Sequence, residues 1–163
     1  MKSAKYFPFY LISIIPMFLL YVLSDIAFLV LYYLVKYRRD VVLLNLRNSF
    51  PEKSEDELKK ISIKFYKHFS DIAVEAIKSL TIGKKQIKKR LHVVNPELLQ
   101  KFYDQKRSVI MYTAHFGTWE WLGFLPLTIS HQLTSFYQPL SNTYLDGFMK
   151  FVRSRHGAIC VES

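Results

Sequence analysis

The run from Phe9 to Val35 constrains this chain more than any other feature. It is apolar apart from its tyrosines, Ser13, Ser24 and Asp25. As a helix it would extend ~40 Å at ~1.5 Å per residue, enough to cross a bilayer with some tilt. It is too long for the core of a signal peptide, and no small-x-small cleavage site follows it, so residues 1–36 read as a retained membrane anchor. Two residues complicate a plain lipid-exposed span. Pro16 should kink or divide the helix. Asp25 would cost roughly 2.5–3.5 kcal/mol at mid-membrane. Asp25 is therefore expected to meet a following helix or to serve a function, and the segment either crosses or lies partly in the interface as a broken hairpin. Lys2 and Lys5 flank one end; Lys36, Arg38 and Arg39 flank the other. Cations on both sides give only a slight bias toward a cytoplasmic C-terminal side.

The 163 residues give room for one domain. Their net charge of +10 asks for an anionic partner such as a membrane surface, an acidic carrier protein or phosphates. Nucleic acid would satisfy the charge too, but no binding module is recognisable and the apolar anchor argues against it. Eleven Tyr and thirteen Phe suit work at a lipid boundary. A single cysteine, Cys160, excludes an internal disulfide.

After the anchor, Val41–Phe50 has the pattern of a short amphipathic helix ended by Pro51. Ser54-Glu55-Asp56-Glu57 is a capping box with acidic residues in the first turn. It opens a long helix with an apolar stripe at Leu58, Ile61, Phe65, Phe69, Ile72, Ala76 and Leu80, stopped by Gly83. Phe65, Tyr66 and Phe69 could alternatively line a lipid groove. Lys84, Lys85, Lys88, Lys89 and Arg90 form either a solvated face or a contact for a membrane or carrier protein. Asn95-Pro96-Glu97 begins a short helix that ends near Tyr103. The period then changes. Ser108–Tyr112 reads as a strand, Thr118–Ile129 as a helix, Leu133–Tyr137 as a strand, Tyr144–Ser154 as a helix and Ala158–Val161 as a strand. That alternation predicts an α/β fold with the start of a mainly parallel sheet.

His115 sits just past the first of these predicted strands, where open α/β sheets place their sites. Glu120 follows five residues later, in the first turn of the next helix. A carboxylate behind an imidazole fixes its tautomer and stabilises the imidazolium formed on proton abstraction. Base and partner are present without an evident enzyme nucleophile, since no G-x-S-x-G elbow occurs. This suits direct attack by a substrate hydroxyl on an activated acyl group. Gly117 would let substrate approach the backbone, and the helix start could hold a phosphate or the reaction oxyanion. The competing reading is a histidine that caps a helix or is bonded within a loop. The remaining histidines are scattered, and no H-E-x-x-H spacing exists, so no metal site is expected.

Ala114-His115-Phe116-Gly117-Thr118-Trp119-Glu120-Trp121 resembles the H-x4-D/E block of the lipid A biosynthesis (late lauroyl/myristoyl) acyltransferases, whose motif is similar to that of the wider glycerolipid acyltransferases. A second block agrees. Tyr137-Gln138-Pro139-Leu140-Ser141-Asn142, then Asp146, then Arg153-Ser154-Arg155-His156-Gly157 resembles the family's Y-x-P-L-x-N loop and the helix after it. Tyr37-Arg38-Arg39, Asn45-Leu46-Arg47-Asn48-Ser49-Phe50-Pro51 and Phe65-Tyr66 match its N-terminal half, so nearly the whole chain is covered in order. The resemblance implies a glycerolipid-acyltransferase-like fold, with residues 37–163 as the N-terminal part of the acyltransferase domain. It implies a membrane-bound enzyme on the cytoplasmic side of the inner membrane. Such an enzyme moves a fatty acyl chain from acyl carrier protein to a hydroxyl of a lipid A precursor and needs no cofactor. By that analogy His115 is the general base and Glu120 its partner, while Tyr137, Asn142, Arg153 and Arg155 place the substrate, beside the close approach already expected at Gly117. Members run to nearly twice this length, so the chain is expected to be truncated. The rival expectations are a non-catalytic membrane-associated remnant and an acyltransferase for another lysolipid or glycolipid.

Overall fold

The computed structural model describes residues 4–163. Lys2, one of the cations flanking the apolar run, lies outside the described residues. A 3-10 turn, Ala4–Tyr6, leads into α1 (Phe7–Ile14), and Pro16 separates α1 from α2 (Met17–Leu29). A π-helical turn, Val30–Leu34, extends α2. Then come α3 (Arg39–Ser49), α4 (Glu55–Lys78), α5 (Lys84–Arg90) and α6 (Pro96–Asp104). A 3-10 helix, Trp119–Leu127, precedes β1 (Thr134–Tyr137), α7 (Thr143–Ser154) and β2 (Ile159–Glu162). The chain divides into two compact units, one of residues 1–14 and 76–163, the other of residues 15–75.

In the unit of residues 15–75, the capping box forms as the sequence predicts. The Ser54 backbone N–H donates to Glu57 Oε2 at 2.9 Å, and the Glu57 N–H reaches Ser54 Oγ at 3.4 Å. The predicted apolar stripe is buried at its two ends, at Leu58 and at Ala76 and Leu80, but not in its middle: Phe65 and Phe69 are exposed, whereas Ser62, Tyr66 and Ser70 are buried. Three polar contacts fix α2 along α4. Tyr21 donates to Glu75 at 2.7 Å, Ser24 donates to Asp71 at 2.6 Å, and Asp25 meets Lys67 at 3.3 Å. Tyr66 adds an edge-on ring contact with Tyr32 and donates its hydroxyl to the Tyr37 carbonyl. Asp25 is thus bound to a following helix. Selection of the buried face by these polar partners, rather than by the most apolar residues, explains why Phe65 and Phe69 depart from the predicted stripe.

In the other unit, Tyr6, Leu80, Phe148 and Val152 make one buried cluster, and Ile82, Ile87 and Phe124 a second. Lys78 and Thr81 both donate to the Ser13 carbonyl, tying the end of α1 to the turn after α4. Gly83 does more than stop a helix, because it is the N-cap of α5, which carries the lysine run. β1 and β2 pair in parallel, Thr134 against Ile159 through Tyr137 against Glu162, with α7 as their crossover. The predicted strand Ser108–Tyr112 does not form. The stretch joins no ladder, and Ile110 and Tyr112 are almost fully exposed. Its β-branched and aromatic composition suits a pleated surface, but a strand exists only where a neighbour completes its hydrogen bonds. The predicted helix 118–129 is a 3-10 helix with Pro126 inside it, which removes an amide that an α-helix would need. The fold is mostly helical with a two-stranded parallel sheet among the described residues.

Replacing Ser54 by Ala should destabilise the chain by about 1 kcal/mol, because it strips the first turn of α4 of its cap. Denaturant unfolding followed by circular dichroism reads this directly. Ser54→Thr should restore most of the loss, and equal stability of all three proteins would contradict a capping role.

Candidate active site

All the expected catalytic and substrate-placing residues lie in the unit of residues 1–14 and 76–163. The loop before the 3-10 helix turns at Phe116, whose N–H donates to the Ala114 carbonyl at 2.9 Å. Gly117 follows with φ +59° and open space where a Cβ would point. A left-handed residue is natural for glycine and lets the chain reverse into the helix at Thr118. The turn leaves His115 exposed, its ring 4.8 Å from the Trp119 ring at 60°. An imidazole so placed is open to solvent and to a ligand approaching over Gly117.

Glu120 is buried, and both its oxygens are engaged. Arg153 Nε donates to Oε2 at 2.8 Å and Nη2 to Oε1 at 2.7 Å, a bidentate fork joining the 3-10 helix to α7. The bond to the Glu120 carboxylate raises the Arg153 pKa further, which keeps the guanidinium charged. The same guanidinium lies 5.6 Å from the centre of the Tyr137 ring. Tyr137 donates to Glu162 Oε1 at 3.1 Å, and Lys150 donates to that oxygen at 3.0 Å. The Lys150 and Tyr137 bonds hold the Glu162 carboxyl below its usual range. Glu120, Arg153 and Tyr137 therefore come together. The hydrogen bonds found on Glu120 come from Arg153, and His115 makes its ring contact with Trp119 instead.

Two further predicted residues have local structural partners. Asn142 is the N-cap of α7, its Oδ1 accepting from the Tyr144 and Leu145 N–H groups at 3.1 and 3.0 Å. Asp146 closes the loop before it by accepting from the Leu140 N–H at 2.9 Å. Arg155 donates to the Ser79 carbonyl at 2.6 Å and lines a cavity of about 200 Å³ with Tyr6, Tyr10, Leu80 and Phe151. Sequence reasoning missed two contributors. Glu162 has no motif to flag it. Gly123 lets the 3-10 helix approach α7, since a Cβ there would meet the Arg153 carbonyl oxygen at 3.1 Å. No cluster of metal-ligating side chains occurs among the described residues.

His156 packs its ring 5.2 Å from Phe124, and burial first, then Arg155 and Lys84, push its pKa down. A depressed folded-state value means that protonation favours the unfolded chain. Stability should therefore hold above the free histidine value of ~6.5 and fall as pH drops below it. The His156→Phe variant should show a flatter melting-temperature profile between neutral pH and pH ~5; identical profiles would contradict this. For the fork, Glu120→Ala leaves a partly buried guanidinium unpaired and should cost about 3 kcal/mol in denaturant unfolding. The apolar pair Glu120→Leu with Arg153→Met should recover much of that loss, and equal loss in single and double variants would contradict the pairing.

Three comparisons bear on what this arrangement belongs to. Searches among curated proteins and among solved structures returned no significant match. The family model described as bacterial lipid A biosynthesis acyltransferase matches residues 4–162, which takes in both the His115 loop and the Arg153 helix. The chain is a member of the bacterial lipid A biosynthesis acyltransferase family, and its chemistry is acyl transfer.

Proposed function

We propose that this chain transfers a fatty acyl group from an acyl thioester, carried by acyl carrier protein, to a hydroxyl of a lipid A precursor, with His115 as the general base. The observation that supports it most is the exposed imidazole beside the open turn at Gly117, five residues ahead of Glu120 in the buried Glu120–Arg153 fork. A ring nitrogen of His115 takes the proton of the acceptor hydroxyl as its oxygen attacks the thioester carbonyl. The tetrahedral intermediate collapses, the carbon–sulfur bond breaks, and the imidazolium returns its proton to the leaving thiolate. The products are an ester and a free carrier thiol, so the base is regenerated.

Glu120 is the partner of His115 in this reading. A carboxylate offers about four lone-pair positions, and the Arg153 fork uses two, which leaves capacity for the imidazole N–H. The fork fixes where that carboxylate stands. Gly117 gives the substrate its close approach, and Arg153, with the Tyr137 ring beside its guanidinium, stands at the Glu120 carboxylate. Asn142 acts through the start of α7, and Arg155 offers a cation beside the apolar wall of its cavity. The net charge of +10 suits an acidic carrier protein and an anionic lipid acceptor. Met17–Leu34 is long and apolar enough to cross a membrane by length and composition, which supports work at a membrane; the inner membrane and its cytoplasmic side are the placement that the family resemblance implies.

Membranes holding the chain should transfer labelled acyl groups from acyl carrier protein to a lipid A precursor. His115→Ala should lower turnover by at least about 100-fold, the usual worth of a general base, while leaving the melting temperature unchanged. Equal turnover in the alanine variant would remove His115 from the chemistry, and absence of transfer by the folded parent chain would contradict the assignment.

A further inference from the structure

The apolar helix long enough to span a bilayer is paired lengthwise with a helix that cannot enter one. From Tyr21 to Tyr32, α2 and its π-helical extension are matched to α4 from Glu75 back to Tyr66. That pairing covers ~17 Å of helix at ~1.5 Å per residue, more than half of a hydrocarbon core of ~30 Å. Within Tyr66–Glu75 stand Lys67, His68, Asp71 and Glu75. The Asp25–Lys67 ion pair within this stretch is more than half exposed on both side chains. Were α2 to cross the bilayer, those groups would sit among acyl chains. Neighbouring charges of this kind are tolerated there only when enclosed by protein or facing a water-filled cavity.

The two sides of α2 are sorted accordingly. Leu20, Ser24 and Tyr32 are buried, and Tyr21 and Asp25 reach α4. Phe18, Val22, Ile26, Leu29 and Tyr33 are exposed at intervals of three and four, a continuous apolar row along the helix. Exposed Lys36 and Arg38 follow at its end, where anionic headgroups would meet them. With α4 laid along the other side of α2, this apolar face and the charged surface of α4 make a two-faced helix pair with aromatic and basic residues at its margin, as suits an assembly resting in the membrane interface.

We infer that α2 lies in the plane of one leaflet of an anionic phospholipid bilayer, its Phe18–Tyr33 row toward the acyl chains and α4 on the water side, and that it does not cross. The inference rests on the membrane association of the proposed function and adds its topology. Two flanking positions report it: Lys5→Cys and Glu52→Cys, each in full-length protein carrying Cys160→Ser. A membrane-impermeant maleimide should label both in sealed inside-out inner-membrane vesicles, and both should lose labelling in intact spheroplasts. Labelling of one position in each preparation would overturn the inference while leaving membrane-bound acyl transfer intact. Nitroxides at positions 18, 22, 26 and 33 give a second reading that does not depend on the flanks. Equal depths in vesicles of phosphatidylethanolamine and phosphatidylglycerol support the leaflet placement, and a single maximum at the middle of the helix overturns it. Failure of the protein to float with those vesicles would overturn both the inference and the membrane reading beneath it.

Discussion

The fork between Arg153 and Glu120 is the interaction on which the site depends. It is bidentate, its carboxylate is buried, and it joins the helix that follows the His115 loop to the crossover helix of the sheet. Removing one partner of such a pair strands a charge where water cannot fully compensate it. The fork also needs a close approach, which Gly123 permits by presenting no side chain to the Arg153 carbonyl. Position 115 lies just ahead of this framework: Glu120 is pinned, Thr118 is the N-cap of its helix, and the left-handed Gly117 stands between that cap and His115, whose ring meets Trp119.

Much of this was legible in the sequence because local chemistry governs it. The capping box at Ser54 and the strand–helix–strand from Thr134 to Glu162 follow from nearest-neighbour rules, whereas Asn142, expected to place the substrate, turns out to cap α7. Position 153 was marked only by its place in a motif. Its partner is distant in sequence, and no periodicity carries such a contact. The same holds for Glu162, which shares one oxygen between Tyr137 and Lys150. Where the reading failed, a tertiary condition decided. Ser108–Tyr112 has strand composition but no ladder, and α4 buries Ser62, Tyr66 and Ser70 in place of Phe65 and Phe69. Hydrophobicity ranks residues for burial, but polar partners across a helix pair can choose the face.

The same polar contacts recast the N-terminal segment. Hydropathy alone describes Met17–Leu34 as a span, since it averages over the helix circumference. Tyr21, Ser24 and Asp25 occupy one side only, and each meets a charged residue of α4. An acyltransferase whose acceptor is a lipid must bring a hydroxyl at the headgroup level to its base. A helix that rests in one leaflet would hold the protein at that level without committing chain to the far side.

The central claim is that a ring nitrogen at position 115 takes the acceptor proton, and chemical rescue tests it most directly. His115→Gly leaves a gap beside Gly117, and free imidazole supplied in solution can occupy it. The account predicts that acyl transfer by this variant returns in a saturable way as imidazole is added. Transfer that stays absent at saturating imidazole, while the variant still binds acyl carrier protein and the lipid acceptor, would contradict it.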